Sequence, residues 1–282
     1  LRDTYFTKQG LADFATAALA SFGLLSAVFQ IALAIWPSLA HHAWLTLGSL
    51  ASSCLVAGLV HRWPQSTVEH SYTYPNFVIR IKQGDILEES GNVIIGFTDT
   101  FDTDISDGVV IDPRSVQGQF QLKYYPGVEA LDLELERALG NTQVIARESL
   151  TTKARGKLSR YEIGTVAVLN EGGARYYALA YGYMRNDMRV SCSVDAIWRS
   201  LSSVWDAVRT HGRLDPVAIP VIGSELARVG SLDRSSLIKM IALSFVASSR
   251  QEVVSRELLI IIHPKDRRQI RMNDLDRFLR AL

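Results

Sequence analysis

The chain has 282 residues and a formal net charge of +1, enough length for one large domain or two smaller ones. Near neutrality gives no bulk attraction to nucleic acid. Its two cysteines, Cys54 and Cys192, lie far apart in different kinds of segment, which argues against a disulfide framework or a Cys-based zinc site and suits a reducing compartment.

From Phe14 to His61 there is no Asp, Glu, Lys or Arg, and the run is broken near its middle by "WPSLAHH", residues 36 to 42. A hydrocarbon core of about 30 Å is crossed by roughly 20 helical residues. The stretch therefore predicts a two-helix transmembrane hairpin over residues 1–64, with spans at about 14–36 and 43–61. Arg2, Lys8 and Arg62 flank the hairpin and its turn carries no Lys or Arg. The positive-inside rule then puts both termini in the cytoplasm of a two-pass plasma-membrane protein. A signal peptide would have a shorter apolar core, a cleavage site and no second span. A buried soluble helical hairpin has the same periodicity and is the other rival. Small residues at four-residue spacing, Gly23 and Ala27, then Ser49, Ser53 and Ala57, suit either helix self-association or packing within one hairpin.

Residues 65–76 are polar and without period, and are expected to be a linker. From residue 77 to 282 strands and helices alternate. Strands are expected at 77–81, 92–97, 161–169, 175–184, 216–222 and 257–263, and helices at 128–139, 194–210, 232–248 and 273–281. In the second helix Val194, Ile197, Leu201, Val204 and Val208 form a stripe suited to core packing. The pattern predicts a three-layer α/β domain with a mixed central sheet, whose ligands sit where strand ends lead into helices.

Three segments occupy such places. "IGSELARVG", residues 222–230, follows a strand and precedes a helix, so it is either an ordinary connection or a phosphate cradle built on a helix N-terminus. Asp85, directly after the first strand and Gly84, suits the adenine amino group as an acceptor or the next helix as an N-cap. The run Asp99, Asp102, Asp104 and Asp107 has neither zinc-site nor calcium-loop spacing, so a solvated loop and a ligand clamp both stay open. The basic C-terminus, Lys265, Arg267, Arg268, Arg271, Arg277 and Arg280, reads as a solvated face or as a contact for anionic lipid or a neighbouring subunit.

"IKQGDI", "SRYEIGTVAVL" and "IPVIGSELARVG", in this order over most of residues 77–263, resemble macro domains, the ADP-ribose-binding α/β family. Behind a two-span hairpin, the pattern is similar to the macro-domain membrane effectors of type II Thoeris, a bacterial antiphage defence system. That resemblance implies a TIR-domain partner that makes a histidine conjugate of ADP-ribose, and an oligomeric effector that binds this signal, disrupts the membrane and causes abortive infection. It also implies that Asp85 and Ile86 hold the adenine and that Ile222, Gly223, Ser224, Glu225, Leu226, Ala227, Arg228, Val229 and Gly230 wrap the diphosphate. Phe97, Thr98, Asp99, Asp102 and Asp104 would face the distal ribose and its attached group, the aspartates meeting its cationic part. Two departures stand out: Glu225 follows Gly223 and Ser224 where many macro domains have a small-residue run, and "GFTDTFDTD" lacks the Asn of hydrolytic members. No catalytic residue, metal or cofactor is expected. The rival functions are a membrane-anchored ADP-ribose hydrolase with Asp102 or Asp104 as general base, and a passive anchor for ADP-ribosylated proteins.

Overall fold

The computed structural model describes residues 8–35, 67–125, 127–223 and 232–282, together with Trp44, Gly48, Ser52 and Ser53. The chain divides into two units, Leu1–Ser66 and Thr67–Leu282. In the first unit α1 (Lys8–Ile35) runs through the first expected span and leaves Leu19, Val28 and Ile31 exposed. Its early turns carry Lys8, Gln9 and Asp13, and Ser21, Ser26 and Gln30 follow. Among the described residues no helix is long and apolar enough to cross a membrane. Most of the second expected span, 43–61, lies outside them.

The second unit is built on a mixed sheet of order β1-β2-β10-β9-β3-β7-β6. Its parallel centre comprises β2 (Asn76–Gln83), β10 (Glu257–Ile262), β9 (Val217–Pro220), β3 (Asn92–Thr98) and β7 (Ala174–Met184). The antiparallel strands β1 (Thr67–Thr73) and β6 (Val166–Glu171) close its two edges, and β8 (Val190–Ser191) adds to the end of β7. A two-stranded ribbon, β4 (Ala146–Arg147) with β5 (Ser159–Arg160), stands apart. Residues 67–73 were expected in the linker; they form an edge strand instead, in which Val68 is the only fully buried side chain.

Both faces of the sheet are covered, which is why the central strands are continuously apolar: Leu258 to Ile262 are all buried. On one face pack α4 (Val194–His211), α5 (Arg234–Gln251) and α6 (Met272–Ala281). On the other lie α2 (Val116–Tyr124) and α3 (Val128–Leu139). Alternation along β3 serves the two layers, with Ile94 in the first core and Val93, Ile95 and Phe97 in the second. Helix α4 is capped by Ser193, whose side chain accepts from Ala196 N. Its buried stripe is Ile197, Leu201, Val204 and Val208; Val194, expected in that stripe, is 40 % exposed because it is the first residue after the cap. Trp205 of α4 donates from Nε1 to Ser244 Oγ of α5 at 3.0 Å, fixing the register of the two helices. At the other end of the sheet buried Asn92 donates to Gly212 O at 2.9 Å and accepts from Tyr177 at 3.1 Å, tying the end of α4 to the start of β3.

Candidate functional site

Strands β3, β9 and β10 end on the same edge of the sheet, and a cavity of about 120 Å³ opens there. This is where an open α/β sheet binds ligands, since strand-end loops and helix N-termini converge on it. From β3 come Gly96, Phe97 and Thr98. Gly96 has a steric reason: a Cβ at this position would run into the Tyr181 ring of β7, which forms the adjoining wall. From the end of β9 come Val221, Ile222 and Gly223, the last at φ +78°, a conformation that side-chain-bearing residues rarely adopt. Beyond β10, His263 and Asp266 complete that side.

The segment leading into α2 forms the opposite wall through Ile111, Asp112, Ser115 and Gln117. Ser115 caps α2, accepting from Gly118 N at 3.1 Å and donating to Asp112 O at 2.7 Å. Asp112 accepts from the Arg114 backbone N–H at 2.8 Å and from its guanidinium at 3.1 and 3.0 Å. The Arg114 side chain and then its backbone N–H hold the Asp112 carboxyl below the usual carboxylate range. Gln117 donates to Asp102 O at 2.6 Å and so ties α2 to the loop after β3.

Four of the expected ligand residues, Phe97, Thr98, Ile222 and Gly223, line this cavity. Asp99, Asp102 and Asp104 do not, and their hydrogen bonds explain why. Asp99 is 1 % exposed and accepts from Met184 N and Arg160 Nη1, both at 2.7 Å. Asp102 is fully buried, 3.0 Å from the equally buried Lys153 ammonium, and also accepts from Thr100 and from Lys157 N. These two carboxylates fasten the loop after β3 to the 153–160 segment. Asp104 turns back on Ser106 N and Oγ, at 3.0 and 2.6 Å, and Asp107 pairs with Arg155.

Asp85 stands at the same sheet edge, after β2, but outside the cavity wall. Its side chain caps the short turn Ile86–Glu88 by accepting from Leu87 N at 2.9 Å, and Ile86 is 4 % exposed within the core. The expected diphosphate residues Ser224, Glu225, Leu226, Ala227, Arg228, Val229 and Gly230 lie outside the described residues. Among the described residues no group of three or more His, Cys, Asp or Glu side chains is arranged to hold a metal ion.

Sequence reasoning missed the wall formed by Asp112, Ser115, Gln117, Tyr181, His263 and Asp266. Two signals were available. "DPRS" at 112–115 is a turn ending in an N-cap residue, and His263 closes a strand whose carboxyl end was already the expected ligand side.

A mixed sheet covered by helices on both faces, with a cavity at the carboxyl ends of its parallel strands, defines an open three-layer α/β fold. The structure is similar to a mutant of the Oceanobacillus iheyensis macrodomain, with a TM-score of 0.51 at 11 % identity over 76 % of this chain and 100 % of that one. It is also similar to the same macrodomain solved with ADP, with a TM-score of 0.50 at 10 % identity over 77 % of this chain and 100 % of that one. Residues 79–263 match the family described as Thoeris protein ThsA, Macro domain, and the chain belongs to that family. Thoeris protein ThsA of Bacillus amyloliquefaciens (strain Y2) is 23 % identical over 204 residues, 71 % of this chain and 67 % of that protein.

Proposed function

We propose that this chain is a Thoeris defence effector whose macro domain binds an ADP-ribose-type nucleotide signal without turning it over. The observation that carries the reading is the cavity at the ends of β3, β9 and β10, with Gly223 leading toward α5, in a member of the ThsA macro-domain family. The ADP named with the O. iheyensis macrodomain supports a diphosphate nucleotide as the ligand class. Asp85 takes the adenine, residues 222–230 take the diphosphate, and the wall at Thr98 and Asp112 faces the distal ribose. Asp112 replaces the aspartates of the 99–107 loop as the partner for a cationic group on that ribose, such as the amino group of a histidine conjugate. It lines the cavity and stays ionised at neutral pH, whereas Asp99 and Asp102 are consumed by internal bonds.

The signal comes from a TIR-domain partner, and binding shifts an oligomer toward a state that disrupts the plasma membrane through the charge-free stretch 14–61. A ligand moves such an equilibrium only by preferring one state. Support for the membrane step is the absence of charge from Phe14 to His61 and the exposed apolar side chains of α1.

The test is calorimetric titration of the full chain, kept soluble in a non-ionic detergent, with ADP-ribose and its histidine conjugate while the ligand is checked for breakdown. Saturable binding that favours the conjugate, with ligand recovered intact, is the expected result. Steady consumption of ligand would replace the sensor by a hydrolase, and absence of binding would remove the nucleotide reading.

A further inference from the structure

The cavity wall beyond β10 carries a polar group that neither the loop after β3 nor the turn after β9 explains. Asp266 lies in the short helical turn Pro264–Gln269 and is 8 % exposed. Its Oδ1 is 2.9 Å from Arg234 Nη2, and Arg234 Nη1 also donates to Gln269 Oε1. Arg234 is the first residue of α5. One guanidinium thus clamps the carboxylate from the helix that follows the 222–230 connection. Asp266 lines the cavity, and its Oδ1 is the oxygen that meets Arg234.

The order of the strands says what meets this carboxylate. Across the sheet the sequence is β2, β10, β9, β3, in parallel register, with Gln83 of β2 opposite Ile262 of β10 and Ile261 opposite Pro220 of β9. Neighbouring strands are about 4.8 Å apart. A dinucleotide-like ligand laid along this edge, with its base at Asp85 after β2 and its diphosphate at Gly223 after β9, puts the ribose next to the base over the end of β10. A ribose presents two hydroxyl donors, and a desolvated carboxylate is the strongest neutral-pH acceptor for them. A phosphate ion would instead be repelled by the Asp266 carboxylate.

We infer that Asp266, positioned by Arg234, accepts hydrogen bonds from the hydroxyls of the ribose adjoining the base, and so makes the site selective for nucleotides whose 2′-hydroxyl is free. The inference rests on the nucleotide reading above and adds a specificity residue to it. The same division of labour, an acidic residue for a free 2′-hydroxyl and an arginine for a 2′-phosphate, operates in dinucleotide-binding folds. Here both groups are present, and the carboxylate holds the arginine.

The experiment compares ADP-ribose, its 2′-deoxy analogue in the adenosine ribose and its 2′-phosphate on the full chain in detergent. The unaltered chain is expected to bind ADP-ribose roughly tenfold or more tightly than either analogue. In Asp266→Asn the preference over the deoxy analogue is expected to fall to within about threefold, and the 2′-phosphate to gain relative to ADP-ribose. A purely structural tie between Asp266 and Arg234 would weaken all three ligands together and leave their ratios unchanged. Binding of ADP-ribose without discrimination by the unaltered chain, or full discrimination in Asp266→Asn, would overturn the inference while leaving the nucleotide reading intact. Binding of none of the three would remove both. The comparison on the unaltered chain needs no variant to fold.

Discussion

Two sets of carboxylates surround the same sheet edge and do opposite work. In the loop after β3 Asp99 and Asp102 are buried and fully engaged by Arg160, Lys153 and backbone N–H groups. On the cavity wall Asp112 and Asp266 are each braced by one arginine. The first set ties the scaffold together; the second lines the cavity. Density of acidic residues in a sequence therefore says little about recognition. What matters is whether the fold supplies each carboxylate with internal donors.

The sharpest way to break this contrast is Asp102→Ala. It strands the Lys153 ammonium in a site where both side chains are 0 % exposed, and unfolding free energy should drop by about 3–5 kcal/mol. Urea denaturation followed by circular dichroism reads this directly. Replacing both partners, Asp102→Leu with Lys153→Met, should return most of the loss, since a buried ion pair is often no better than apolar groups of similar volume. A double variant as unstable as the single one would mean that the carboxylate's bonds to Thr100 and Lys157 N, rather than the ion pair, hold the loop.

On the wall the expected effect moves from stability to binding. Asp112→Asn should leave the urea midpoint nearly unchanged, because among the described residues this carboxylate bonds only within its own turn, to Arg114. It should weaken the histidine conjugate relative to ADP-ribose by about tenfold, the order expected for losing one charge-assisted hydrogen bond. An equal loss for both ligands would show that Asp112 shapes the cavity and does not read the charge.

The parts of the molecule legible in sequence are those where burial imposes a period or a run. Strands β2, β3, β7, β9 and β10 and helices α3 to α6 fall where apolar patterning put them. Helix α2 gave no such signal, because its buried positions include Gln117, Gly118 and Gln121 along with Phe120. β1 was hidden for a related reason, since an edge strand with one buried apolar residue looks like a connector. At the site, Phe97, Thr98, Ile222 and Gly223 were legible because they close strands, while Asp112 and Asp266 were not. Their placement depends on chain that turns back onto the sheet edge after residue 110 and after β10. A local pattern cannot encode that return.

Asp233 lies between the two sets in function. It caps α5, accepting from Ser236 N at 2.7 Å, and Ser236 holds its carboxyl below the usual range. Asp233→Ala should cost about 1 kcal/mol. Its folded pKa is depressed, so the charge-dependent part of that stability is fully present above the unfolded value of about 3.9 and disappears as pH falls through the folded value. The gap between Asp233→Ala and the unaltered chain should accordingly be constant from pH 7 to about 5 and narrow toward pH 2. A gap that widens on acidification would show that the side chain stabilises the helix in its protonated form.

The smallest effect is expected at Asp107, and it isolates burial as the variable. Asp107 pairs with Arg155 just as Asp102 pairs with Lys153, between the same two segments, but its side chain and that of Arg155 are 39 % and 49 % exposed. Solvent already satisfies both charges, and exposed pairs of this kind often contribute nothing measurable. Asp107→Asn should leave the urea midpoint and nucleotide affinity within error of the unaltered chain, and 1 M salt should not change that, because the Debye length is then only about 3 Å. A clear loss of stability in Asp107→Asn would mean that the ion pair restrains the loop by its geometry rather than by its charge, and that the latch between the 99–107 and 153–160 segments extends to the surface.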